Sequence, residues 1–340
     1  MARRLTRRQA WRVQKIQDER LDRLQRKTQY GEDLLQCGQL GPEQIGRVVT
    51  NHGANLEVAA VSGRVYHCYP RQHLDLPVSG DRVVWQETGD GRGVVVAVMP
   101  RTSRVARPDP QGVMRPIAAN VDQLVIVIAP EPVLNEGLLD RYLVAAETLE
   151  IPPILLLNKA DLLVGEMGSR VRQRLVTYQA LGYPLWEATT RCPEGLDELL
   201  EQLRDRTSIL VGQSGVGKSS IINHLLPERT IPVQALSAGQ GRHTTTSSTL
   251  YPLPRGGDLI DSPGVREFGL WHLPLTELAW GFREFRPWLG TCRFNDCSHR
   301  QEPGCGLWQG VETGQIEEKR LLSFLRIAEL ATIRTSPGSN

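Results

Sequence analysis

Three short strings, each set at the end of an apolar run of strand length, constrain this chain more than any other feature, and their order is unusual. Asn158-Lys159-Ala160-Asp161 comes first and follows PILLL. Gly212 to Ser219, GQSGVGKS, comes second and follows SILV. Asp261-Ser262-Pro263-Gly264 comes third and closes DLID. A Gly-rich loop between a strand and a helix is a phosphate cradle, because glycines let main-chain amides approach and the helix N-terminus favours an anion. An aspartate fixed after a strand can accept two hydrogen bonds from a purine that offers adjacent donors. Guanine does so and adenine does not. In most nucleotide-binding domains carrying these strings the phosphate loop leads. Here the base reader precedes it, as if the domain had been cut and rejoined elsewhere.

Each residue type has a definite task in this reading. Gly212, Gly215 and Gly217 supply backbone freedom. With Gln213, Ser214 and Val216 they form the cradle that Ser220 closes at the helix start. Lys218 reaches the β- and γ-phosphates, and the Ser219 hydroxyl binds Mg²⁺. Asp261 holds a metal-bound water, and the Gly264 amide senses the γ-phosphate. Asp161 discriminates the base, since a purine lacking the right donors would leave a polar group unpaired. Lys159 lies along the base, and Asn158 ties this loop to the phosphate loop. The simpler readings are a Gly-rich turn, a helix-capping aspartate and a surface Asp-Ser-Pro-Gly turn. Between the second and third strings runs GQGRHTTTSS, in which Thr245 is the leading candidate to complete Mg²⁺ coordination, with Thr244 and Thr246 as alternatives. Small nucleotide hydrolases often follow the third string with a glutamine that orients water. Here that position is Val265. His243 is the local candidate to position the water, against the plainer reading of a solvent-facing histidine that aids only RNA binding.

Around this centre the chain divides into blocks. Residues 1–40 are polar and basic, with ten Lys/Arg against three acids in the first 27, and read as a disordered or partly helical arm. Residues 41–103 hold five β-branched segments separated by NHG, SG, SGD and TGDGRG. That spacing predicts a small closed all-β barrel of the OB-fold type, a fold that often binds oligonucleotides. RPDPQG within 101–115 reads as a linker. From 116 to 270 apolar strands alternate with amphipathic helices, which predicts an α/β domain with a mostly parallel sheet. Residues 271–335 form a small α-helical domain, with helical periodicity over 315–332. Within it Cys292, Cys297, His299 and Cys305 offer four zinc-type ligands in fourteen residues, suited to one closed structural site. Trp280, Phe282, Phe285, Trp288, Phe294 and Trp308 interleave there with Arg283, Arg286, Arg293 and Arg300. Most of the rings are expected in the core, and the arginines facing RNA phosphates. Cys37, Cys68 and Cys192 read as plain reduced side chains. No run of eighteen apolar residues suggests a membrane span, and no secretion signal is evident. A cytoplasmic location is expected.

Together these residues resemble the circularly permuted GTPases, and among them the RsgA (YjeQ) ribosome-assembly GTPases, over about residues 45 to 330. GRHTTT and the Cys292-to-Cys305 cluster are the specific tags. The resemblance implies an OB-fold, a permuted P-loop GTPase domain and a zinc-binding C-terminal domain. It also implies Mg²⁺-dependent hydrolysis of GTP to GDP, stimulated by the small ribosomal subunit and its rRNA late in that subunit's maturation. Nothing demands more than a monomer. The chain departs from the family at the loop packing over guanine, where Thr189-Thr190-Arg191 stands in place of the usual Ser-Ser/Ala type. A regulatory GTP switch acting on a protein partner without RNA is the alternative function, and a zinc-stabilised RNA binder with an inactive nucleotide site a third. Because Asp261-Ser262-Pro263-Gly264 runs within ten residues into the C-terminal domain, nucleotide state is expected to reposition residues 271–332.

Overall fold

The computed structural model describes residues 40–53, 55–72, 74–89, 91–109, 113–226, 248–261 and 273–335. Two compact units emerge. One comprises the described residues up to Arg101 together with Ser248–Leu250, and the other the remaining described residues.

The first unit is a five-stranded barrel. Strands β1 (Glu43–Asn51), β2 (Leu56–Ala60), β3 (Val65–Pro70), β4 (Arg82–Gly89) and β5 (Arg92–Val98) alternate buried and solvent-facing positions along much of their length. β1 pairs antiparallel with both β2 and β4, β3 runs parallel to β5, and β4–β5 completes the ring. Closure removes the sheet edges. Trp85, with no exposed surface, centres the core with Val48, Val58, Val83 and Val95. Asp81 is buried beside Arg101, whose Nε donates at 2.7 Å, so the buried carboxylate is paired. Burial pushes the Cys68 thiol up to about 12 and leaves it an inert apolar side chain.

The second unit opens with a feature the sequence reading missed. The 101–115 segment is not a linker. β6 (Arg104–Pro108) and β7 (Met114–Ala119) pair antiparallel, Arg104 opposite Ala119 and Pro108 opposite Met114. Pro108 and Pro116 lower the apparent strand propensity, yet a two-stranded ribbon tolerates proline on its free edges. Beyond it lies a parallel sheet in the order β10 (Leu185–Glu187), β9 (Pro153–Leu157), β8 (Gln123–Ile128), β11 (Thr207–Gly212), β13 (Asp258–Asp261), the last preceded in the chain by the short strand β12 (Thr249–Pro252). Every residue of β8, β9 and β11 is buried, as expected of strands covered on both faces. The covering helices are α1 (Glu136–Thr148), α2 (Gly165–Ala180), α3 (Asp197–Leu203) and α4 (Lys218–Leu225). The Asn135 side chain caps α1 by accepting from the Leu138 amide at 3.0 Å.

Residues 273–335 carry α5 (Leu275–Trp280), a 3-10 turn over Arg283–Trp288, α6 (Gly306–Glu312) and α7 (Glu318–Thr335). Phe282 stacks on Phe285 at 4.6 Å, and Phe324 of α7 meets both rings edge-on. Arg320, 1 % exposed, joins this core to α1: its guanidinium pairs with Asp140 and donates to Glu284 at 2.6 Å. Tyr178 donates to the same Asp140 at 2.8 Å. Burial alone would disfavour the Arg320 charge, but the two carboxylates more than offset it and raise its pKa. Arg283 and Arg286 are not turned to an external phosphate as expected. Both bind Glu147 at the end of α1, and Arg283 also lies 4.0 Å over the Tyr183 ring. Among the described residues, no helix is long and apolar enough to cross a membrane.

Candidate functional site

The site forms where the parallel strands end. β11 stops at Gly212, whose φ of 145° is open only to glycine and where a Cβ would lie 2.2 Å from the Val127 carbonyl oxygen. Gly217, φ 97°, leaves 2.3 Å between a Cβ and Asn158 Nδ2 and starts α4. Gly215 has φ 85°. The loop Gly212–Gly217 therefore curls tightly into a helix N-terminus. Lys218 Nζ closes the curl by donating to the Gly212 and Gln213 carbonyls at 2.7 and 2.8 Å. Val216 packs into the core below, while Gln213, Ser214, Gly215, Ser219 and Ser220 keep accessible surface. A ring of main-chain amides with a lysine at its mouth can grip a polyphosphate.

The end of β9 is stitched to that loop. Asn158, 1 % exposed, donates from Nδ2 to the Val216 carbonyl at 2.8 Å. Lys159 takes a left-handed φ of 59° and donates to the Gly215 carbonyl at 2.8 Å and the Glu131 carbonyl at 2.7 Å. Asp161 follows in a single 3-10 turn, Ala160–Leu162. Its Oδ1 accepts from the Thr189 hydroxyl at 2.7 Å, and its Oδ2 lies 3.0 Å from Arg191 Nε. The Thr189 hydroxyl foremost, with Arg191 and Lys159, holds this carboxyl below the ordinary carboxylate range. It is an ionised acceptor at neutral pH. Sequence reasoning had marked Thr189-Thr190-Arg191 only as a departure from a pattern. Thr189 and Arg191 do touch the carboxylate, and the readable signal is their place after β10, before Gly195.

Asp261 ends β13, the parallel neighbour of β11, which puts a carboxylate on the same edge of the sheet. His243, Thr244, Thr245, Thr246, Gly264 and Val265 lie outside the described residues.

The cysteine cluster closes separately, between the 3-10 turn and α6. One ligand atom from each of Cys292, Cys297, His299 and Cys305 lies within 4.8 Å of the others. Cys292 Sγ and Cys305 Sγ stand 3.5 and 3.4 Å from His299 Nδ1. A tetrahedral zinc with ordinary bond lengths separates sulfur from nitrogen by about 3.5 Å. The donors therefore fit. The Gly306 amide donates to Cys292 Sγ at 3.3 Å. Burial lowers the His299 pKa and leaves the imidazole neutral, as a ligand must be. Burial pushes the Cys297 thiol up to about 12, so a dication is what would make it a thiolate at neutral pH. Glu302 braces the loop, accepting from the Ser298 hydroxyl and from the Ser298 and Arg300 amides. These bonds, the Ser298 hydroxyl first, hold its carboxyl down at about 2.

Comparison with known proteins agrees with this geometry. A family model described as RsgA GTPase matches residues 98–271. A protein of Hahella chejuensis named small ribosomal subunit biogenesis GTPase RsgA is 50% identical over 333 residues, covering 96% of both chains. A protein of the same name from Pseudomonas putida is 49% identical over 331 residues, again with 96% of each chain covered. Among solved structures, YjeQ from Thermotoga maritima superposes with a TM-score of 0.70 at 30% identity, covering 86% of this chain and 99% of its own. YloQ, described as a circularly permuted GTPase, gives 0.68 at 26% identity, covering 87% and 98%.

Proposed function

This chain belongs to the RsgA GTPase family, and from that premise we propose that it hydrolyses GTP to GDP and phosphate on the small ribosomal subunit during its late maturation. The observation that carries the reading is the pair of Asn158 and Lys159 bonds to the carbonyls of Val216 and Gly215. They hold a guanine-type carboxylate and a phosphate cradle together in one pocket, although Asn158 and Val216 are 58 positions apart in the chain.

In this reading Asp161 accepts the guanine edge, and Lys159 lines the base. The amides of Gly212 to Lys218 and the Lys218 ammonium bind the phosphates. Ser219 and Asp261 would hold Mg²⁺, directly and through water, with Thr245 completing the set. The metal supplies charge neutralisation on the phosphate oxygens. His243 positions the attacking water, and the Gly264 amide reports the γ-phosphate. Cys292, Cys297, His299 and Cys305 would hold one structural zinc that fixes the fold of the last domain, because four protein donors leave no open position for catalysis. The barrel, the zinc domain and the basic arm dock on rRNA, GTP favouring docking and hydrolysis favouring release. The protein acts in the cytoplasm as a monomer.

Turnover measured with and without purified small subunits tests this. Stimulation by at least tenfold is expected. A rate indifferent to the subunit would favour a GTP switch acting on a protein partner.

A further inference from the structure

Asp161 already holds two partners from its own chain, and they differ in kind. Thr189 sits on a fixed turn. Its amide donates to the Gly195 carbonyl at 3.2 Å, and a Cβ at Gly195 would lie 2.2 Å from the Thr189 carbonyl oxygen, so the turn is closed without slack. The preceding Ala188 carbonyl accepts from the Ala160 amide at 2.9 Å, binding this turn to the Asp161 turn. Thr189 therefore stays on Oδ1. Arg191 reaches Oδ2 from the same turn, its amide donating to Thr189 Oγ1 at 3.2 Å, but its side chain is 75% exposed. Such a side chain swings into solvent at little cost. Lys159 cannot replace it, being engaged with the Glu131 and Gly215 carbonyls.

A guanine edge presents two adjacent donors and needs both carboxylate oxygens. We propose that Arg191 competes with guanine for Oδ2 of Asp161, and so weakens nucleotide binding and speeds nucleotide release. This rests on the nucleotide-site reading above. Arg191 is a specificity- and rate-setting residue rather than a catalytic one. When the base departs, its guanidinium takes the vacated acceptor. When the base arrives, the arginine must leave or share. Worth about as much as an exposed ion pair, the contest should shift affinity by roughly twofold to fivefold.

The test uses the full chain with Mg²⁺ and fluorescent mant-GDP, chased with unlabelled GDP in a stopped-flow instrument. Arg191→Ala should release mant-GDP about two to five times more slowly than the wild type, with association no slower. Arg191→Lys, which keeps the charge but not the planar donor, should fall between the two. In competition, the Arg191→Ala gain should be larger for GDP than for inosine diphosphate, whose base lacks the exocyclic amine and presents one donor. Release that is unchanged or faster in Arg191→Ala, or an equal gain for both diphosphates, overturns the contest over Oδ2 while leaving the pocket intact. If neither protein binds mant-GDP, the pocket assignment falls, and the role of Arg191 with it.

Discussion

The two ends of helix α1 face regions built on opposite principles. Near its start, at the ends of β9 and β11, the structure is mostly backbone: three left-handed glycines, carbonyls answered by Asn158, Lys159 and Lys218, and an Asp161 whose side chain keeps 23% of its surface. Along its middle and end, side-chain ion pairs hold the last domain: Asp140 and Glu284 on Arg320, all three buried, and Glu147 on the half-buried Arg283 and Arg286. Exposed or main-chain partners can be exchanged for a ligand's at little cost. Buried charges cannot, because each would be left unpaired out of water. At Asp161 the first region can change partners, whereas the second keeps its own.

The largest expected effect falls on the seam. Arg320→Ala strands two carboxylates that are 3% and 5% exposed, and should lower stability by about 3–5 kcal/mol, read from denaturant unfolding. A loss below about 1 kcal/mol would mean the seam is no firmer than the surface. The same firmness opposes the repositioning of residues 271–332 that their short connection to Gly264 invites. Spin-label distances between α1 and α7 should therefore be the same with GDP and with a GTP analogue, and a shift of several ångströms would break the contrast.

Next is Gly217→Ala. Its methyl would meet Asn158 Nδ2 at 2.3 Å on a backbone of φ 97°. The left-handed penalty is roughly 1–2 kcal/mol, and nucleotide affinity should fall about tenfold or more while the α1–α7 seam is untouched. Calorimetry beside a melting curve separates the two readouts.

The smallest is Glu302→Gln. The Glu302 carboxyl titrates at about 2 when folded, below the ordinary 4.5 of a glutamate. Its contribution is therefore complete above about pH 4.5 and disappears as pH falls towards 2. The melting-temperature gap between wild type and variant should be widest at pH 7 and narrow steadily below pH 4.5, closing only as pH falls through about 2. A gap that does not narrow in acid would show that the charge is not what braces the metal loop.

Much of this contrast was legible in the sequence on one side only. The phosphate loop and the barrel strands were readable because glycine spacing and β-branched alternation are local signals. Asp161 could be singled out from NKAD, but not its bonds to Thr189 and Arg191, which come from a turn about 30 residues on. The seam was invisible, since Asp140 and Arg320 are separated by 180 residues and a pairing of that range leaves no period to find. For the same reason Arg283 and Arg286 looked like phosphate ligands. In composition an arginine committed to Glu147 cannot be told from a free one. The pairing of β6 and β7 was hidden by its prolines.

The central claim is that Asp161, tied to the phosphate cradle through Asn158 and Lys159, reads the purine. Titration calorimetry of GDP, ADP and xanthosine diphosphate into wild type and Asp161→Asn, with Mg²⁺ present, addresses it most directly. The wild type should bind GDP and ignore ADP, and the variant should lose GDP by about a hundredfold and gain xanthosine diphosphate, whose base offers the complementary pattern to an amide. An Asp161→Asn protein that still prefers GDP would contradict the account.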